Sequence, residues 1–183
     1  MPQAHLAMSG QKGVVGLSRF TTKFGSLDNF EKGHVEIVDD DPRHYAFSNI
    51  YEVASRSKPY EKVAVGMNRQ YVLEAIRAEG ASGWRTCSHD EFALVMDGEV
   101  RVELAKLGDG QQPDPEMDGS VALEGEPGGP SMGEIVARQG HMALLPVGAA
   151  YRFHADHPGV ILLQTIAGRD TIYRWTEICQ VTP

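Results

Sequence analysis

Cysteine is nearly absent from this sequence of 183 residues, with Cys87 and Cys179 as its only two. Two are too few for a disulfide framework and lack the paired spacing of a zinc-binding motif, so a reduced compartment is expected. Long apolar runs are missing, and no stretch reaches the length that spans a bilayer. Met1 to Gly16 lacks the basic-then-apolar pattern of a secretory leader, which makes the cytoplasm the expected location and a membrane an unexpected partner. Clustered basic residues are missing as well: 17 Lys and Arg stand against 25 Asp and Glu, a net charge of -8. Phosphate binding is driven by clustered Lys and Arg, so nucleic acid is excluded as the expected partner.

What remains is the composition of a globular protein, 42% hydrophobic and 23% charged. The length suits one compact core and falls short of two. Residues 1–33 are rich in Gly, Ser and Thr, with Phe20, Phe24, Leu27 and Phe30 as spaced apolar residues. They read as an N-terminal arm that either wraps its own domain or docks on another subunit.

Residues 34–183 read as one all-β domain. "HVEIV" and Val63 to Val65 alternate as short strands, while "YVLEAIRAEG" suits a short helix as well as an edge strand. The run "EFALVMDGEVRVELAKL" reads as two strands joined by a hairpin at Asp97–Gly98. In it Phe92, Leu94 and Met96 share one face, and Glu91, Ala93 and Val95 the other. Gly, Pro, Asp and Glu dominate residues 108–133, a long loop in which "SVAL" suits a short strand. The remainder, to "VILLQTI", reads as strands separated by Gly and Pro-Gly turns, the pattern of a sandwich or barrel.

Two segments resemble the signatures of the cupins, small antiparallel β-barrels of jelly-roll type. Glu91 and Gly98 fit the second half of the first signature, and Gly140, Pro146 and Gly148 fit the second in order and spacing. The metal ligands of that family do not carry over. Anchored on Glu91 and Gly98, the first two His positions fall on Arg85 and Cys87, and the last falls on Tyr151. Counted from Gly83, the first His is His89, Glu91 takes the second His position, and an apolar residue takes the carboxylate position. One alternative is a non-standard triad of His89, Glu91 and His154, since two His and a carboxylate suit a mononuclear iron. The other is structural: Glu91 and Arg85 pair, Tyr151 fills the pocket, and His89 and His154 make ordinary hydrogen bonds. Arg85, Cys87, Tyr151 and Phe153 are the pocket candidates.

A longer resemblance covers about residues 34–180. Through "YAFSNIYEVASRSKPYEKVAVGMNRQYVLEAIRAEG", "SHDEFALVMDGEVRVEL" and "GHMALLPVGAAYRFHADHPGVILLQTI" the chain resembles the small subunit of two-component hydroquinone 1,2-dioxygenases. That resemblance implies a larger cupin partner that carries Fe(II) and opens hydroquinone to 4-hydroxymuconic semialdehyde in a hetero-oligomer. It further implies no metal, cofactor or catalytic residue in this chain. Two other readings stand beside it: a self-sufficient metal-dependent cupin, either dioxygenase or isomerase, and a barrel that binds a small aromatic ligand against Tyr151 and Phe153 without turnover.

Overall fold

The computed structural model describes residues 25–31, 36–38 and 45–174. In order these form β1 (Glu36–Val38), β2 (Tyr45–Phe47), α1 (Ile50–Arg56), β3 (Val63–Asn68), β4 (Tyr71–Ala81) and β5 (Arg85–Cys87). Then follow β6 (Glu91–Asp97), β7 (Glu99–Lys106), β8 (Ser120–Ala122), β9 (Ser131–Arg138), β10 (Met142–Leu145) and β11 (Ala149–Ile166). Every pairing between these strands is antiparallel, and the sheet curls into a half-barrel around the long strand β11.

One edge of β11 carries β4 and then β5, and the other carries β6 and then β7. The Asp97–Gly98 hairpin expected from the sequence is therefore corrected. β6 pairs with Val160 to Gln164 and β7 with Ala149 to His154, so the two run as one bent strand alongside β11 and do not pair with each other. Gly98 marks the bend, with φ of 77°. A Cβ there would lie 3.1 Å from Gly159 Cα, and one on Gly159 would lie 2.7 Å from the Asp97 carbonyl oxygen. The Asp-Gly pair thus serves close approach of two backbones rather than chain reversal. The turn read at Pro158–Gly159 is likewise a bulge inside β11, between Ala155 and Gly159.

Residues 71–81, which suited helix or edge strand, form β4, an interior strand between β3 and β11. Of the segment read as a loop at 108–133, Ser120 to Ala122 forms β8 against β5, and β9 begins at Ser131. The first residues of the arm, 1–24, and with them Phe20 and Phe24, lie outside the described residues, as does Cys179. The described part of the arm lies on its own barrel: Leu27 N donates to Asp97 Oδ2 at 2.8 Å, and Asn49 Nδ2 donates to the Glu31 carbonyl at 2.6 Å.

Two apolar layers hold the sheet. Inside the curl, inward residues of successive strands meet: Ile76, Val95, Val102, Tyr151, Phe153 and Leu163 belong to one buried cluster. Each fully buried aliphatic side chain of this kind contributes about 2 kcal/mol. On the outer face, α1 presses Val53 against Val63, Val65 and Ala75. Asn49 starts that helix, its Oδ1 accepting from the N–H groups of Tyr51 and Glu52 at 3.0 and 3.1 Å. Among the described residues, the face of β6 and β10 has no such cover, and Phe92, Met142 and Leu144 are exposed. Among the described residues, no helix is long and apolar enough to cross a membrane.

Candidate functional site

The period of two along β6 and β11 decides which groups reach the interior. Glu91, Ala93 and Val95 point inward from β6, and Tyr151, Phe153 and Ala155 from β11. Inside the barrel, Glu91 is 0% exposed and Tyr151 1%. The Tyr151 hydroxyl donates to Glu91 Oε2 at 2.6 Å, while Glu91 Oε1 is buried with no hydrogen-bonding partner. Burial first, and the Glu91 carboxyl beside it second, push the Tyr151 phenol well above its ordinary pKa.

A polar network extends from this pair. Ser120 Oγ accepts from Lys62 Nζ at 2.8 Å and from Arg85 Nε at 3.0 Å. Lys62 Nζ lies 3.0 Å from Glu74 Oε2, and Thr171 donates its hydroxyl to Glu74 Oε1 at 2.6 Å. Arg85 also reaches Asp170 at 2.6 Å. Burial works to raise the Asp170 carboxyl, but the bond to Arg85 and the charge of that guanidinium outweigh it and hold it below its usual value. The Glu91–Arg85 pairing considered from the sequence is not the bond observed: Arg85 pairs with Asp170, and Glu91 with Tyr151.

Cys87 and His89 complete the cluster. Cys87 Sγ lies 3.2 Å from His89 Nδ1, and His89 Nε2 lies 3.0 Å from Thr165 Oγ1. The ligand atoms of Cys87, His89 and Glu91 all lie within 4.8 Å of one another. His154 is elsewhere. It alternates outward between Phe153 and Ala155, and its Nε2 lies 2.9 Å from Asp156 Oδ1. The structure therefore joins His89 to Glu91 and does not bring His154 to them.

These donors do not fit a mononuclear iron of the two-His, one-carboxylate kind. One imidazole is present, the position of the first signature His holds a cation already paired with Asp170, and the last holds a phenol bonded to the carboxylate. Of the pocket candidates, Arg85, Tyr151 and Phe153 line a residual cavity of about 20 Å³ together with Lys62 and Ser82. That is room for a single water, since one water needs about 10–15 Å³ and ligand pockets run to hundreds. Tyr151 and Phe153, with ring centroids 5.5 Å apart, fill the space an aromatic ligand would need. A larger open cleft of about 460 Å³ lies beside β9, with Trp84, Glu103, Glu126 and Glu134 on its walls. There the Arg152 guanidinium sits 4.6 Å from the Trp84 ring centre and bonds Glu103 at 2.8 Å.

Sequence reasoning missed Lys62, Glu74, Ser120, Asp170 and Thr171. Apart from the adjacent Asp170 and Thr171 they come from separate segments, one of them in the acidic, Gly-rich stretch read as loop, and no local spacing links those segments. The only available signal was the charged residues set among apolar ones at Lys62 and Glu74 in "EKVAVGMNRQYVLEAI".

No protein-family model matches the sequence, and the search of curated proteins found no match. Solved structures do match. A hydroquinone 1,2-dioxygenase from Sphingomonas sp. TTNP3, with 4-hydroxybenzoate bound, is 54% identical, covers 88% of this chain and 98% of its own, and has a TM-score of 0.77. The hydroquinone 1,2-dioxygenase PnpCD in complex with Cd2+ and 4-hydroxybenzonitrile is 55% identical over the same shares, 88% and 98%, with a TM-score of 0.76. A further chain, from PnpCD in complex with Fe3+, matches at 11% identity over 66% of this chain and 32% of its own, with a TM-score of 0.52; it shares the fold alone.

Proposed function

We infer the role of this chain from one premise: it belongs to the hydroquinone 1,2-dioxygenase family, which is of the cupin type. It is the small subunit of a ring-cleaving dioxygenase, and the catalytic Fe(II) is held by a larger cupin subunit. The assembled enzyme adds both atoms of O2 to hydroquinone and yields 4-hydroxymuconic semialdehyde. No residue of this chain is assigned to the chemistry, and its location is the cytoplasm.

The observation that carries this reading is the pairing of two facts. The donor set around Glu91 does not suit iron, because Arg85 and Tyr151 stand where the family signature has imidazoles. In addition, PnpCD contributes two different chains to the comparisons, one matched by this chain over 98% of its length and one over only 32%. A longer chain of the same fold in that enzyme supports a larger partner for this one. The apolar residues Phe92, Met142 and Leu144 on the β6–β10 face, which no other described residues cover, suit a chain that meets another subunit.

The test is co-expression of this chain with a large hydroquinone dioxygenase subunit, followed by purification through a tag on one of them. The reading expects both chains to elute together in fixed stoichiometry with iron and ring-cleaving activity. A tagged chain that elutes as a homomer, with the larger subunit in the flow-through, contradicts it.

A further inference from the structure

We propose that β9 of one chain pairs antiparallel with β9 of a second copy across a two-fold axis at Val136, so that the sheet runs on from one barrel into the next. This pairing is independent of the subunit role above and does not use Phe92, Met142 and Leu144, the residues which that role assigns to another subunit. Two observations carry it: the free edge of β9 and the charges that reach that edge.

Among the described strands, β9 pairs with β7 and with no other. Its second edge therefore offers a row of backbone N–H and C=O groups to any strand that can pair with them. Edge strands are commonly guarded by short length, by Pro or Lys, or by a bulge. β9 runs for 8 residues, "SMGEIVAR", with neither Pro nor Lys, and all of them but Ala137 are exposed. Its register against β7 slips only toward Ser131 and is regular from Glu134 to Arg138. Met132, Ile135 and Val136 are large apolar side chains exposed along it.

The charges decide which strand fits. Glu134, Val136 and Arg138 share one face of β9 by the period of two. One row of side chains crosses the sheet from β11 to this edge as Arg152, Glu103 and Glu134, and another ends as Glu99 and Arg138. In the first row Arg152 bonds Glu103 at 2.8 Å, which leaves Glu134 directly opposite a like charge and without a cation of its own among the described residues. Like charges in that position are destabilising. In the second row Arg138 bonds Glu99 at 2.6 Å through Nε, and its other guanidinium N–H groups remain for a further acceptor. A two-fold axis at Val136 sets Glu134 of each copy opposite Arg138 of the other, and Val136 opposite Val136. Both rows then continue across the axis with opposite charges in contact, and Glu134 gains the cation it lacks. A two-fold contact needs a patch that complements itself, and an edge with acid, valine and base at alternate positions is such a patch. The Arg138 peptide is engaged in its own turn, with its N–H donating to His141 Nδ1 at 3.2 Å and its carbonyl accepting from His141 N at 2.8 Å. The ladder between the copies is thus centred on Val136, and side chains hold its ends.

The experiment is sedimentation velocity of the full-length chain, alone and in complex with a large hydroquinone dioxygenase subunit. A dimer of the lone chain is expected. Glu134→Arg sets two guanidinium groups against each other and Arg138→Glu sets two carboxylates, and each weakens the dimer by about tenfold or more, since juxtaposed like charges are costly in an interface. The double variant Glu134→Arg, Arg138→Glu exchanges the two charges and restores the dimer, a rescue that misfolding of a single variant does not produce. A monomeric wild-type chain overturns the proposal, as does a dimer that survives both single reversals or that the exchange does not restore. Loss of the large subunit from the complex on Glu134→Arg overturns it too, by giving the β9 edge to that subunit. Association of small with large chains is read separately from pairing of the small ones, so a failure of the pairing leaves the subunit role standing.

Discussion

Replacing Lys62 by Met is the sharpest test of how the barrel interior is held together. Lys62 and Glu74 face each other at 3.0 Å with side-chain exposures of 5% and 0%. With an effective dielectric constant of about 20, two unit charges at that distance attract by about 5 kcal/mol. Much of this offsets the cost of removing both from water, so the net worth of the pair is small. Removing the cation alone is different: Glu74 is left in the core with the Thr171 hydroxyl as its remaining close partner, at 2.6 Å. An uncompensated buried charge of this kind costs about 3–5 kcal/mol. Ser120 adds little to the loss, because Arg85 still donates to its oxygen at 3.0 Å. Urea unfolding followed by circular dichroism measures the change, with Lys62→Met moving the midpoint down at an unchanged slope. The double variant Lys62→Met, Glu74→Leu recovers most of the loss, since no charge is then stranded. If Lys62→Met lies within about 1 kcal/mol of the wild type, or the double variant is as unstable as the two singles added together, the reasoning fails.

Other perturbations probe separate parts of the structure. Tyr151→Phe deletes the hydroxyl on Glu91 Oε2 and lowers stability by about 2 kcal/mol in the same assay, whereas no measurable loss would mean the 2.6 Å bond carries nothing. Gly98→Ala places a Cβ 3.1 Å from Gly159 Cα at a φ of 77°, and a loss of more than about 1 kcal/mol is expected; a neutral result would refute the close crossing of the bent strand and the β11 bulge. The Asp170 carboxyl is held below its usual value in the folded chain, so its contribution is present above the unfolded carboxyl pKa and lost as pH falls through the lowered one. Thermal melts between pH 7 and pH 3 should therefore fall less steeply in Asp170→Asn than in the wild type, and parallel curves would contradict the Arg85 pairing.

The sequence made the alternating faces of β6 legible, and with them the inward Glu91, because a period of two needs no tertiary information. It misread the Asp97–Gly98 pair. The same dipeptide that closes a hairpin also permits two backbones to cross closely, and only the 3.1 Å approach to Gly159 separates the two uses. Residues 71–81 were ambiguous because an interior strand buried on both faces shows little alternation. At the site, His89 was read together with Glu91 while Cys87 was noticed singly, and the position that the three share depends on how the chain leaves β5. The pairing of Lys62 with Glu74, Ser120 and Thr171 was invisible for a plainer reason: long-range pairing across a barrel leaves no local pattern. The resemblance to a dioxygenase small subunit reached further than any of these, since it drew on most of the chain at once, and the 54% and 55% identities bear out the family.

The central claim is that the ring-cleaving iron chemistry lies in the partner. It is tested most directly by hydroquinone consumption and semialdehyde formation after anaerobic loading with Fe(II), for this chain alone and for its complex with the large subunit. The account predicts no turnover by the lone chain and full turnover by the complex. Turnover by the lone chain in proportion to its bound iron would contradict it and move the catalytic centre to His89 and Glu91.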